Sequence, residues 1–358
     1  MRRAVIFTLM SVVIALVLVL VFFVNNGRAP ITTPSETIRV EVMNAVVRGF
    51  EGYATVALRQ STYASLVRFS EIYGEESDQD LQLFFRFSRE SFRANLSRCV
   101  LVENATVRPA NFDHYCLNST ALPGLLRPYA AIISDELGVK VQYSFAPDSL
   151  QFDERDATTI VVSVRMNLTV SDPFANWTIV DHVLNTTVSL AGIKNPLIEK
   201  ARIKTVVGRY KATGPAFPLM LHNFTGPWNT EKTGDLYAGR LYRTSPGAPS
   251  FIARFYGDLS NSSCCGVETF VNSSDYVFSV SPSLPPNSNY SVLDHQLFNT
   301  SAYGYLPPAF SYCEPFIELY AVKDVQGLVL DTMTAGRYGL VADDLEQIED
   351  PPCSPWEG

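Results

Sequence analysis

Charge is scarce in this sequence. Asp, Glu, Lys and Arg make up 18% of the 358 residues, below the usual quarter of a soluble globular protein. No run of like charges is long enough to form a solvated tail, no Lys/Arg cluster is present, and the formal net charge is −8. Nucleic acid and anionic lipid surfaces are therefore excluded as partners. Histidine is scarcer still, with His114, His182, His222 and His295 as the only four. Asp181 and His182 adjoin in a predicted strand, where neighbouring side chains point to opposite faces. The sequence also lacks a G-x-S-x-G elbow, a G-x-G-x-x-G loop and a P-loop. With no C-x-x-C and no histidines at ligand spacing, no catalytic residue, cofactor or metal site is expected. Carboxylate pairs for glycoside chemistry are set by distance in space rather than along the chain. The acidic residues that bear on this are Glu268, Asp294 and Asp331, and they read as turn-holding groups. No internal repeat is present.

What the sequence does have begins at its N-terminus. Ala4 to Val24, AVIFTLMSVVIALVLVLVFFV, carries no charge. At 1.5 Å per residue such a run spans about 30 Å, the thickness of the hydrocarbon core. It is too long for the apolar region of a cleaved signal, and Pro30 would follow the nearest small-x-small site, Gly27-Arg28-Ala29. Arg2 and Arg3 precede the run and only Arg28 follows it closely. The positive-inside rule thus leaves residues 1–3 as a cytoplasmic stub and makes 4–24 a single-pass transmembrane anchor in the cell membrane. The chain beyond it is expected to be extracellular, joined by a linker over 25–35. An alternative is a prepilin peptide cut near Arg3-Ala4, but Pro30 and Pro34 would interrupt the continuous helix of a pilin.

Asparagine is concentrated in Asn-x-Ser/Thr acceptors for N-glycosylation. They stand at Asn95, Asn104, Asn118, Asn167, Asn176, Asn185, Asn223, Asn261, Asn272, Asn289 and Asn299, which is 11 of the 18 asparagines. With 55 Ser and Thr in 358 residues, chance would place about three. An excess of this size points to exposure to a glycosylation system. Residues 36–94 carry no acceptor, which fits a segment covered by packing or by the membrane. The six cysteines, Cys99, Cys116, Cys264, Cys265, Cys313 and Cys353, all follow the anchor and read as disulfides of an oxidising compartment. Cys99 with Cys116 would close a short local loop. For the other four, two separate bridges that tie Cys353 to the body are expected in preference to a bond between the neighbours Cys264 and Cys265.

Periodicity divides the rest. Ser35 offers an N-cap, and Val42, Val46, Phe50, Tyr53 and Ala57, then Leu66, Phe69 and Tyr73, recur at helical steps over 36–73. Gly74 can end that helix. Ser77 with Asp78 and Asp80 opens a second, with Leu81, Phe84, Phe85, Ser88 and Phe92 on one face, so that the two form a helical hairpin. A third is expected from Pro128 to Leu137, stopped by Gly138. The period then changes to two over Val139–Phe145, Thr158–Val170 and Thr178–Leu190. Val162, Val164, Met166 and Leu168 face one way, while Ser163, Arg165, Asn167 and Thr169 face the other. Beyond 200, turns and short strands dominate, with one helical turn at Phe251–Tyr256 and strands over Phe316–Val322 and Leu328–Leu330. The expected fold is α+β. A helical hairpin packs on an antiparallel sheet over 36–198, a β-rich, disulfide-tied unit spans 199–341, and 342–358 is an acidic, proline-containing tail.

The order of these elements resembles a group of uncharacterised archaeal membrane-anchored surface proteins with a pilin-like or signal-anchor N-terminal helix. Four stretches carry the resemblance: Leu190-Ala-Gly-Ile-Lys-Asn-Pro-Leu197; Phe251-Ile-Ala-Arg-Phe-Tyr-Gly-Asp-Leu-Ser260; Gly266-Val-Glu-Thr-Phe-Val-Asn272 with Ser291-Val-Leu-Asp294; and Leu328-Val-Leu-Asp331. The resemblance implies an archaeal cell-envelope protein and brings no catalytic residues. The sequence thus reads as a non-catalytic extracellular glycoprotein of the envelope, with an envelope protein or glycan as partner. Self-association through the apolar face of the 36–73 helix is a further expectation. A pilin-like filament subunit and an envelope hydrolase are the alternatives.

Overall fold

The computed structural model describes residues 36–75, 88–103, 106–107, 114–116, 118–196, 227–238, 242–272, 291–293, 319–326 and 328–347. The segments expected to form an anchor, a stub and a linker lie outside them, as do Asn104, Asn223, Asn289, Asn299, Cys313 and Cys353. Among the described residues, no helix is long and apolar enough to cross a membrane. The chain divides into two compact units, 1–49 and 50–358, and of the first only 36–49 is described, as the start of a helix.

The fold is α+β with antiparallel sheets. Helix α1 runs over Glu36–Glu75. Within the second unit its buried residues are Phe50, Ala54, Ala57, Leu58, Ser61, Ser65, Leu66 and Phe69, among others. Several of these, Ala54, Ala57, Ser61 and Ser65, are small and recur at three- and four-residue steps. Helix α2 spans Arg89–Leu101. It starts at Ser88, whose hydroxyl accepts from the Ser91 amide and so satisfies one of the amides that a helix start leaves open. The expected start at Ser77 lies outside the described residues, and the helix continues nine residues past Phe92, the last apolar position that the sequence supplied. Helix α3 covers Leu122–Leu137 and ends where Gly138 turns left-handed at φ 64°. It begins six residues before the expected Pro128. Pro123 occupies its first turn, where no amide partner is needed, and Pro128 is accommodated inside it.

The main sheet is made of β3 (Lys140–Phe145), β4 (Gln151–Asp156), β5 (Thr159–Ser171) and β6 (Asn176–Ser189), preceded in the chain by the short pair β1 (Thr106–Val107) and β2 (His114–Tyr115). The central strand is β5. It pairs with β6 along one edge and with β4 and then β3, end to end, along the other. Ile160, Val162, Val164, Met166, Leu168 and Val170 are buried, and the alternate positions face outward, as the period of two requires. Burying each of these side chains contributes about 1.5–3 kcal/mol. Strand β4 was not anticipated, because its sequence, QFDERD, is mostly charged. Only Phe152 of it is buried, and the strand is formed by its pairing with β5.

Helices and sheet meet through named contacts. Phe92 is the hub, with its ring 5.6 Å from Phe69, 5.8 Å from Phe152, 5.4 Å from Phe255 and 5.8 Å from Tyr256. It thereby joins α1, α2, β4 and the short 3-10 turn Ala253–Phe255. Along β6 and just beyond it, Arg59 donates to Thr186, Tyr63 to the carbonyl of Ala191 and Ser70 to the carbonyl of Lys194. Phe50 packs against Tyr129 of α3 and against Tyr143 of β3, whose hydroxyl donates to the carbonyl of Pro123.

The C-terminal part is built from short pieces. Helix α4 (Thr230–Tyr237) is capped by Asn229. Strands β7 (Arg243–Thr244) and β8 (Val267–Glu268) pair with each other, as do β9 (Phe270–Asn272) and β10 (Ser291–Leu293). Strand β11 (Leu319–Val322) lies between β12 (Val329–Asp331) and β13 (Leu345–Gln347), and helix α5 (Thr332–Arg337) follows β12. Leu236, Phe270, Val322, Leu328, Leu330, Ala335, Tyr338 and Leu340 form a core of their own. The tail expected from 342 onward is corrected here: Ala342–Asp344 is a 3-10 turn and 345–347 a paired strand. Short elements of this kind have no usable periodicity, and pairing with a distant strand fixes them.

The sulfurs of Cys99 and Cys116 lie at disulfide distance, closing the local loop that the sequence suggested. Those of Cys264 and Cys265 are bonded to each other. The expectation that these neighbours serve two separate bridges is corrected, because the turn that carries them brings their sulfurs together.

Candidate functional site

Three of the Asn-x-Ser/Thr motifs fall on one surface of the main sheet. In the β5–β6 register, Asn185 stands opposite Ser163 and Asn176 opposite Ser171. Ser163, Asn167 and Ser171 are four residues apart along β5, so all share its outward face. Asn167, Asn176 and Asn185 therefore share that face, and each is exposed. Four strand residues span about 13 Å, so the acceptors are spread along the hairpin. Between β5 and β6 the ladder is interrupted opposite Asn167, where Asp181 turns left-handed at φ 53°. The Asp181 amide donates to Asn167 Oδ1, not to the side-chain nitrogen that would carry a glycan. The same hairpin bears large apolar groups in water, with Phe174 75%, Val180 67% and Val183 49% exposed. Asn261 is exposed on its own loop, and Asn95 is half-buried on α2. Asn118 and Asn272 lie in a 3-10 turn and in β9.

Of the acidic residues considered for chemistry, Glu268 lies at the centre of a polar cluster. Glu268 is fully buried. Tyr338 donates to its Oε2 at 2.6 Å, Arg243 Nε lies 3.7 Å from the same oxygen, and Arg337 pairs with Oε1. Arg243 also donates to the carbonyl of Arg337 and lies over the rings of Tyr338 and Trp228, 4.6 and 5.3 Å from their centres. Arg337 donates in turn to the Ser245 hydroxyl. Arg243 and Glu268 are cross-strand partners, so one carboxylate ties β7, β8 and the end of α5 together. Asp331 sits in β12 opposite Leu319, and Asp294 lies outside the described residues. Of the histidines, His114 lies in β2. His182 Nε2 is 3.4 Å from Glu51, and His222 and His295 lie outside the described residues. Asp181, left-handed at the ladder irregularity, is exposed, while His182 pairs with buried Met166 and is half-buried.

Burial, and then the Glu268 charge, hold the Tyr338 phenol well above its ordinary value of 10.0. A raised value in the folded state adds stability below the unfolded chain's value and loses it as pH rises from about 10 toward the folded one. Tyr338→Phe is therefore expected to lose less stability than the wild type between about pH 9 and 11. Unfolding measured across that range checks it, and equal alkaline slopes would mean that the phenol is not confined.

A second cluster joins distant parts of the chain. Glu154 of β4 accepts a hydrogen bond from the Ser250 hydroxyl, and one of its carboxylate oxygens lies within 4.8 Å of both Cys264 Sγ and Cys265 Sγ. Burial raises the Glu154 carboxyl, and the Ser250 bond opposes that shift. Burial first, and then the charge on Glu154, push the Tyr256 phenol up to about 12. Sequence reasoning found the two cysteines but not Glu154, because 110 residues separate them and only the contact of β4 with the loop after β7 unites them. Fully buried Arg254 organises that loop by donating to the carbonyls of Pro249, Ser250 and Val267.

No family model matches this chain, and neither a curated protein nor a solved structure was found that resembles it.

Proposed function

We propose that this chain is a non-catalytic, membrane-anchored extracellular glycoprotein of the cell envelope, acting in adhesion, recognition or surface structure. The observation that carries the proposal is the placement of Asn167, Asn176 and Asn185 on one exposed sheet face. Glycans there would also cover the exposed Val180 and Val183, which bare in water would form an adhesive patch. The apolar run 4–24 supplies the anchor, and Glu268, the acidic residue nearest to a catalytic candidate, is committed to Tyr338 and two arginines.

Glycopeptide mass spectrometry on protein isolated from its native membrane provides the test. Glycans are expected at Asn167, Asn176 and Asn185, and protease added to intact cells should remove the chain beyond residue 35. Unmodified asparagine at all three sites, in a chain protected from external protease, would overturn the proposal.

A further inference from the structure

We propose that Cys264 and Cys265, when their mutual disulfide is reduced, form with Glu154 a binding site for a thiophilic divalent cation of the zinc class. This goes beyond the glycoprotein reading and does not rest on it.

A bridge between neighbouring residues closes only a small ring through the peptide that joins them. It staples no loop, so the stabilisation that disulfides draw from loop closure is absent. Cys265 and Glu154 are held by other contacts, and Cys264 adjoins Cys265 in the same turn. The Cys265 amide donates to Ser262 Oγ at 3.1 Å, and the Ser262 amide to the carbonyl of Ala248 at 2.9 Å. Glu154 is fixed by β4 and by Ser250. Opening the bond therefore frees two sulfurs on a scaffold that stays in place. Cys264 is exposed and Cys265 buried, so an external thiol has access to one sulfur of the pair.

The chemistry balances with a dithiol as reductant. Its thiolate attacks Cys264 Sγ, the bond between the cysteines breaks, and Cys265 leaves as a thiolate that takes a proton from water. The second thiol of the reductant then attacks the mixed disulfide and releases Cys264. The reductant ends as a disulfide, and the protein has gained two electrons and two protons. A zinc ion displaces the two thiol protons. Two thiolates and one carboxylate supply three of the four ligands that zinc takes, which leaves one position for water. Soft sulfur donors favour this class over magnesium or calcium. The sequence alone gave no sign of such a site, since the third ligand lies far away in the chain.

The test uses the purified full chain in detergent, with and without prior treatment by a dithiol that is then removed. Zn2+ binding is read by competition with a chromophoric chelator, and Co2+ is added separately for its thiolate charge-transfer absorption. The reduced protein is expected to bind one Zn2+ more than the oxidised protein and to show that absorption. Glu154→Gln should weaken this increment roughly tenfold or more, and a double variant, Cys264→Ser with Cys265→Ser, should abolish it. The double variant also discounts the other cysteines. Should it fail to fold, Zn2+ protection of Cys264 and Cys265 from iodoacetamide in the wild type, read by peptide mass spectrometry, decides instead. Equal Zn2+ binding by the reduced wild type and the double variant, or equal alkylation with and without Zn2+, would overturn the proposal.

Discussion

Glu268→Ala should lower the unfolding free energy by roughly 3–5 kcal/mol, the range for breaking a buried ion pair by removing one partner. Glu268 is the anion that Arg243, Arg337 and Tyr338 all address. Its loss leaves two guanidinium groups and a phenol facing one another at the junction of β7, β8 and α5. The arginine side chains retain 20% and 32% of their exposure, so water can reach them in part, which favours the lower end of that range. Glu268→Gln should cost less, because the amide keeps the shape and still accepts from Tyr338. Denaturant unfolding of the full chain in detergent measures both. A loss below about 1 kcal/mol for the alanine variant would place it in the range of a surface pair and would contradict the buried cluster.

Gly266→Ala is expected to be at least as damaging, at roughly 3 kcal/mol or more. A Cβ at this position would stand 2.0 Å from the carbonyl oxygen of Ser245 and 2.3 Å from that of Ala248. Both are backbone atoms and cannot rotate away. Moving them would break the bonds from the Ser245 amide to the Gly266 carbonyl and from the Ser262 amide to the Ala248 carbonyl. The loop that presents Cys264 and Cys265 would shift as well. An unfolding midpoint equal to that of the wild type would show that this close approach does not exist. The two variants separate two causes, since one removes a charge and leaves the backbone alone, and the other adds a methyl group and leaves the charges alone.

The long periodic elements were legible in the sequence because each carries its own signal. Strand β5 alternates strictly, and its buried positions, Val162 to Leu168, are those that the alternation assigns. Helix α1 could be read as a helix, but not its buried face: of the positions that the sequence suggested, Val42 and Tyr53 are exposed, while Ala54, Leu58 and Ser65 are buried. Gly138 marks the end of α3 through its own backbone freedom. The acceptor asparagines could be named from three-residue motifs alone.

Tertiary structure decided whatever depends on partners far along the chain. Strand β4 is charged and shows no strand pattern, yet it forms because β5 offers an edge to pair with. Residues 345–347 read as a loose tail, and β11 makes them a strand. The shared face of Asn167, Asn176 and Asn185 required the register of β5 with β6, including the irregularity opposite Asn167. Pairing of Cys264 with Cys265 depended on the turn that holds them, and the arrival of Glu154 beside them on a contact across 110 residues. The physical reason is the same in each case. Local sequence fixes backbone periodicity and turn chemistry, whereas the energy that aligns distant strands and gathers polar groups exists only once the chain has closed on itself.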